Sequence, residues 1–379
     1  MFKNEAEMQQ RIAEYAHRFG GLSELIEEHD YEAGNSLEED LIIESYNYCL
    51  ESLYETELIS ENENISLFDK QILKPDFLLF DPGYEKFIIV ELKNSKGPTR
   101  EAGTELGAYS NVIKTHFPMI ADSDIAFVVI SSDWPTLLKN YLFNEIFWHK
   151  RKILCLEPVA QEGSSFRLQC LNPKALFEQN VKTTFSNKSF SGMQYCIYGS
   201  GIYSGDPIEK LDDNIFQIKA SFERIIRKSQ QHNSHGFAFL WKDFRKGSLA
   251  RYNVTLVDIN PFEKYQGSII NLENRFTEKL FNCLSEHEVS GMTGTTIDSM
   301  RSGGYFLENI ASPIPEGSLP WDELKKIMLQ NCELISFKSW GVVADLYDEF
   351  LCDLYFTSNV DYEYDNPDLG IKFTESIIR

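Results

Sequence analysis

Residues 74–94 read KPDFLLFDPGYEKFIIVELKN. Two apolar runs, DFLLF at 76–80 and KFIIVEL at 86–92, flank DPGYE at 81–85, so the stretch predicts a hairpin. Asp76 opens the first strand, and Glu91 and Lys93 close the second. Residues i and i+2 of a strand point to one face, so Glu91 and Lys93 project together. Antiparallel pairing brings Asp76 opposite them. Two carboxylates and a lysine then share a small volume at the edge of a sheet. Hard oxygen ligands suit Mg²⁺ or Mn²⁺, which bind through one or two carboxylates plus water and substrate phosphate. A lysine beside such an ion orients or helps deprotonate an attacking water, and neutralises phosphate charge. The plain structural alternative is an exposed hairpin whose Glu91–Lys93 pair is a surface ion pair, worth about 0–1 kcal/mol.

The flanks extend this pattern. Residues 5–18 predict a helix with Ile12, Tyr15, Ala16 and Phe19 on one side. A second helix is expected from Leu37 to Tyr54, with Ser36 as N-cap and Glu39 completing a capping box. ISLF at 65–68 reads as a short strand. Thr99 to Phe117 is helical and stops before Pro118. IAFVVISS (125–132), KILCLEP (152–158) and SFRLQCL (165–171) read as strands, with a helix over 135–150 between the first two. The expected class is α/β, a mixed sheet flanked by helices.

Pro75-Asp76, followed by Glu91-Leu92-Lys93 at the end of an apolar strand, resembles the PD-(D/E)XK nuclease superfamily over roughly residues 37–171. That family often takes a further acid from the preceding helix, where LEEDLIIES (37–45) offers Glu38, Glu39 and Glu44. Members related to RecB-type nucleases carry Gln-x-x-x-Tyr on the helix after the catalytic strand; here Glu105 and Tyr109 stand at that spacing. Glu105 departs from the family's Gln, since an acid only accepts where an amide also donates. The resemblance implies a restriction-endonuclease-like fold and a Mg²⁺- or Mn²⁺-dependent nuclease. Asp76, Glu91 and the carbonyl of Leu92 would bind the metal, with Glu38 or Glu44 through water, and Lys93 would position the attacking water. DNA is the expected substrate, with RNA as a second arm. The alternative is a nuclease-like interaction or sensor protein without catalysis.

A composition shift near Asn172 suggests three segments: 1–36 as an N-terminal helical piece, 37–175 as the nuclease-like domain, and 176–379 as an α+β module that selects substrate, senses a trigger or binds a partner. In the last segment the sequence predicts helices over 207–232, 268–288, 320–331 and 342–356, paired strands at 236–241 and 251–259, and a loop at 290–304. Lys242, Arg245, Lys246 and Arg251, interleaved with Trp241 and Phe244, are a candidate nucleic-acid contact or a solvated hairpin tip. His232-x-x-His235 lacks a third ligand at useful spacing, and GMTGTTIDSMRSGG (291–304) lacks the Gly-Lys-Ser/Thr of a phosphate loop. A nuclease fused to an unfamiliar module is similar in layout to bacterial antiviral defence effectors.

Composition bounds these readings. The 379 residues are 42% hydrophobic and 25% charged, which is globular arithmetic. No apolar run approaches the roughly 18–20 residues that span a bilayer, so no membrane partner is expected. The acidic, amphipathic N-terminus does not read as a signal peptide. Seven cysteines without a CxxC fit buried thiols in a reducing cytoplasm. The net charge is −22, and residues 1–69 hold 3 basic against 18 acidic residues. That charge opposes DNA binding unless a local basic channel, a basic partner protein or self-assembly compensates it. A third option is that the acidic tail NVDYEYDNPDLG (359–370) occupies a basic channel until displaced.

Overall fold

The computed structural model describes the chain except residues 1, 20, 28–33, 67–71, 94–99, 162–164, 179–184, 200–207, 261–277, 280–281, 284–292, 359–362 and 379. It is a mixed α/β protein of two compact units, Met1–Val181 and Lys182–Arg379.

The first unit runs α1 (Glu5–Phe19), α2 (Leu37–Glu51), β1 (Glu57–Glu61), β2 (Phe77–Asp81), β3 (Lys86–Lys93), α3 (Arg100–His116), β4 (Ile125–Ser131), α4 (Thr136–Phe143), β5 (Ile153–Ala160) and β6 (Phe166–Cys170). Its sheet has the order β1-β2-β3-β4-β5-β6. The central pairs β3–β4 and β4–β5 are parallel; the outer pairs are antiparallel. Parallel strands are covered on both faces, which explains the unbroken apolar runs Ile88-Ile89-Val90 and Ile125–Ile130, all buried. The β2–β3 turn is held by Asp81, whose Oδ1 accepts from the N–H groups of Gly83 (2.9 Å) and Tyr84 (3.2 Å). Helix α1 is no separate piece: Met8 and Ile12 lie in this unit's core, and α1 packs on β3.

Several expectations shift. Ser36 caps α2 by accepting from Glu39 N, but the Glu39 carboxylate turns to Asn35 N at 3.1 Å, so the box closes one residue early. Ile65 and Ser66 lie outside any strand, and residues 67–68 lie outside the described residues. The edge strand is β1, ELISE, whose exposed Leu58 and Ile59 gave no alternating signal. The helix expected over 135–150 is α-helical only to Phe143 and continues as a π-turn over Asn144–Trp148.

The second unit holds β7 (Phe190–Gly199), α5 (Ile215–Gln231), β8 (Gly236–Asp243), β9 (Ala250–Ile259), α6 (Thr293–Gly304), β10 (Ala311–Pro320), α7 (Trp321–Leu329), β11 (Cys332–Trp340), α8 (Val342–Ser358) and α9 (Pro367–Ile377). Its sheet, β10-β7-β9-β8-β11, is antiparallel throughout. Ala238 and Leu240 face a core with Phe222, Ile225 and Met300 from α5 and α6. Phe237 and Phe239 face an aromatic cluster with Trp321, Phe337, Tyr347 and Phe373. The stretch read as a loop at 290–304 is helical from Thr293. Its small residues serve close packing: a Cβ on Gly303 would meet Ile225 at 2.5 Å, and Ser221 Oγ donates to Gly303 O at 3.0 Å. Strand β10, ASPIPEGSLP, escaped notice because of its prolines, which an edge strand tolerates. The acidic tail is built in where described: Phe337 N donates to Asp365 O, Asn366 caps α9, and Phe373 is buried. Residues 359–362 of that tail and most of the helix expected over 268–288 lie outside the described residues. Among the described helices none is long and apolar enough to cross a membrane.

Candidate active site

Strands β2 and β3 pair with Phe77 opposite Val90, which sets Asp76 beside Glu91 where the hairpin ends. Asp76 Oδ2 accepts from Leu92 N at 2.7 Å. Glu91 and Lys93 share a face, and Lys93 Nζ lies 2.7 Å from Glu91 Oε1. Lys93 Nζ makes a second contact of 2.7 Å, to Glu105 Oε2 on α3. One turn later Tyr109 donates its hydroxyl to Lys74 O at 3.0 Å, tying α3 to the segment that leads into Asp76. Parallel pairing with β4 steadies the strand end: Ser131 Oγ and Ser132 N both donate to Lys93 O, at 3.1 and 3.2 Å.

Negative charge is in excess here. Burial pushes the Glu91 carboxyl up to about 9, and the neighbouring Asp76 charge adds to the shift. Burial raises Asp76 to about 7, although the Leu92 N–H stabilises its anion. Burial works against the Lys93 ammonium, yet Glu91 and Glu105 outweigh it and raise its pKa, so Lys93 stays charged. Burial and the surrounding carboxylates push the Tyr109 phenol above its ordinary value. Glu91 is 4% exposed, and its Oε2 is buried without a hydrogen-bond partner among the described residues. An orphaned carboxylate oxygen in a low-dielectric site takes up a proton or a hard cation. Among the described residues no group of three or more His, Cys, Asp or Glu side chains is arranged to hold a metal ion. Asp76 and Glu91 are two carboxylates at one strand end, and Mg²⁺ sites in general use one or two carboxylates completed by water and phosphate.

The acids expected from α2 go elsewhere. Glu44 pairs with Lys152 at 2.6 Å, just before β5 begins and so at the opposite end of the sheet from the strand ends that carry Glu91 and Lys93. Glu39 pairs with Lys174 at 3.4 Å, beyond β6, and Glu38 is buried beside it at the start of the same helix. The helical acid near the site is Glu5 on α1, whose charge acts on both Asp76 and Tyr109. Glu5 was legible in principle: it stands in helical register with Met8, Ile12 and Tyr15, so an acid extends the apolar stripe that meets the sheet.

In the second unit, the basic residues between β8 and β9 do not present four free cations. Lys242 pairs with Asp212 at 2.7 Å. Arg245 forks onto buried Asp243 with contacts of 2.7–3.1 Å. Arg251 lies over the Phe244 ring at 5.2 Å, and Lys246 is exposed. The two histidines also diverge: His232 Nε2 meets Asp298 at 2.9 Å, while His235 Nδ1 accepts from Val342 N at 3.3 Å.

Comparison with known protein families, with characterised proteins and with solved structures finds no match to this chain.

Proposed function

We propose that the protein is a metal-dependent nuclease of the restriction-endonuclease-like kind, with DNA as its first substrate. The observation that carries this reading is the convergence of Asp76, Glu91 and Lys93 at the end of one hairpin, with a buried Glu91 oxygen left without a partner among the described residues. Folding alone gains little from such an arrangement, because buried like charges cost free energy. Asp76 and Glu91 would hold Mg²⁺ or Mn²⁺. Such an ion supplies charge neutralisation at the phosphodiester and a more acidic bound water. The chain's own residues do the rest. Leu92 N–H fixes Asp76, and Lys93 fixes Glu91. The Lys93 ammonium lies where it can orient a water or meet a phosphate oxygen. Phosphodiester hydrolysis requires on the order of 20 kcal/mol of barrier lowering, and electrostatic preorganisation is the main source available.

The test is incubation of the full chain with supercoiled plasmid, single-stranded DNA and RNA in Mg²⁺, Mn²⁺ or EDTA. Metal-dependent cleavage that disappears in Lys93→Ala supports the reading. No cleavage of any substrate with either ion overturns it. A nuclease-like interaction protein is the second reading. It is favoured by the net charge of −22 and by the internal pairing of Lys242 and Arg245. Metal-independent binding without cleavage is its signature.

A further inference from the structure

Among the described residues, the Lys93 ammonium is the cation held by the cluster of Asp76, Glu91 and Glu105, and two of these acids hold it at 2.7 Å each. The two holders differ. The Glu91 side chain is 5% exposed, whereas that of Glu105 is 31% exposed. The Glu91 carboxylate is buried on β3, so it has little room to leave. Glu105 projects from α3, whose backbone is pinned one turn later by the Tyr109–Lys74 hydrogen bond, so its side chain can move while its helix stays. An amide at this position would keep an acceptor for Lys93 and drop the charge.

We propose that Glu105 is a positioning residue that holds Lys93 upright on its solvent side, and that an incoming phosphate competes with the Glu105 carboxylate for the ammonium. This rests on the nuclease reading. The device has two consequences. In the resting site, Glu105 keeps a long, flexible lysine in one rotamer and guards it from stray anions. During substrate binding, the same carboxylate repels the phosphate, so affinity is given up to keep Lys93 in place. The E-x-x-x-Y pair then acts as one unit, with Tyr109 setting the helix and Glu105 setting the lysine.

The experiment compares Glu105→Gln and Glu105→Ala in the full chain, with folding checked by thermal melt and cleavage measured on whichever nucleic acid the wild type cuts. Glu105→Ala should lower kcat about tenfold or more, because Lys93 loses its outer holder. Glu105→Gln should recover most of that kcat and lower KM about fivefold to tenfold, because the acceptor stays while the competing charge goes. Wild-type kcat and KM in both variants overturn the proposal. Equal loss of kcat in both, with KM unmoved, also overturns it and makes the carboxylate itself part of the chemistry. A second readout needs no activity: in ¹⁵N-lysine-labelled protein, the Lys93 ammonium should be protected from solvent exchange in wild type and lose that protection in Glu105→Ala. Protection that persists in Glu105→Ala overturns the holding role. Absence of cleavage by the wild type, with the ammonium behaving as expected, sinks the nuclease reading and leaves the holding contact standing.

Discussion

Two clusters of charge, one in each unit, look alike as sequence and end differently in the fold. Around Lys93 the structure gathers Glu91 and Glu105 on one ammonium with Asp76 beside them, and the buried Asp76 and Glu91 are pushed up to about 7 and about 9. Around Lys242 and Arg245 each cation meets its own acid. Burial acts upward on Asp212 and Asp243, but bonds from Lys242 and Tyr252 in one case, and from Arg245 and Ser248 in the other, hold both carboxyls below the usual range. The first cluster holds carboxyls that resist ionising in a dry place; the second pairs each carboxylate with its own cation. Strain of the first kind is what the proposed nuclease site rests on, whereas pairing of the second kind is what a plain turn uses.

The largest expected effect tests the first cluster. Lys93→Ala and Asp76→Asn should each lower cleavage about 10³-fold, by loss of a donor or of metal-binding charge at the phosphate. Asp76→Asn is preferred to alanine because its amide oxygen still accepts from Leu92 N. Far-ultraviolet dichroism and thermal melts should match wild type. A Lys93→Ala variant that cleaves at the wild-type rate breaks the contrast between the two clusters.

Stability against pH separates them next, with opposite signs. Glu91 and Asp76 have raised pKa values, so between about pH 4 and pH 9 the folded chain keeps protons that the unfolded chain has released. The metal-free protein should therefore lose stability as pH rises through that window. Glu91→Gln removes the main source, so its melting temperature should exceed wild type by about 4 °C at pH 8 and equal it near pH 4. Mg²⁺ should raise the wild-type melting temperature at pH 8 and leave that of Glu91→Gln nearly unmoved. A variant that melts below wild type at pH 8 would show that Glu91 is stabilising, and the strain argument would fail.

Asp243 is the mirror image. Its lowered pKa contributes stability that is present above the unfolded value and lost as pH falls through the folded one. Asp243→Asn leaves Arg245 and Ser248 without their carboxylate acceptor, at a cost of about 1–3 kcal/mol near pH 7. Denaturant melts should show that loss at pH 7 and a progressively smaller one as pH falls below about 4. A pH-independent difference would mean that shape rather than charge holds the turn.

What was legible follows from distance along the chain. Asp76, Glu91 and Lys93 sit in one hairpin, where a period of two and a turn signal decide the geometry. Glu105 and Tyr109 sit one helical turn apart, and their spacing alone puts them on one face. The helical acid was misread because it depends on which helix packs on β3. Glu39 and Glu44 are nearer in sequence, but α2 leads them to Lys174 and Lys152, and α1 brings Glu5. In the second unit, Gly303 and the serines of α6 look like loop chemistry until α5 is laid against them. The prolines of β10 likewise make sense only once the strand is seen at an edge.

The smallest effect concerns the basic turn. Salt dependence of nucleic-acid binding counts the cations that release counterions, about 0.9 in slope for each one on duplex DNA. Lys242 and Arg245 already spend their charge on Asp212 and Asp243, so a phosphate must compete with a carboxylate fixed 2.7 Å away in each case. Lys246 is exposed and well placed to respond to a phosphate. If the turn touches DNA, Lys246→Ala should flatten the plot of log affinity against log salt by about 0.9, whereas Lys242→Ala and Arg245→Ala should leave the slope as it was. Equal flattening by all three would mean that the internal pairs open on binding, and the turn would then belong with the Lys93 cluster as a surface that exchanges partners. No change in any variant would remove the turn from the nucleic-acid interface, and the charge of −22 would then need a basic partner or a second copy of the chain to offset it.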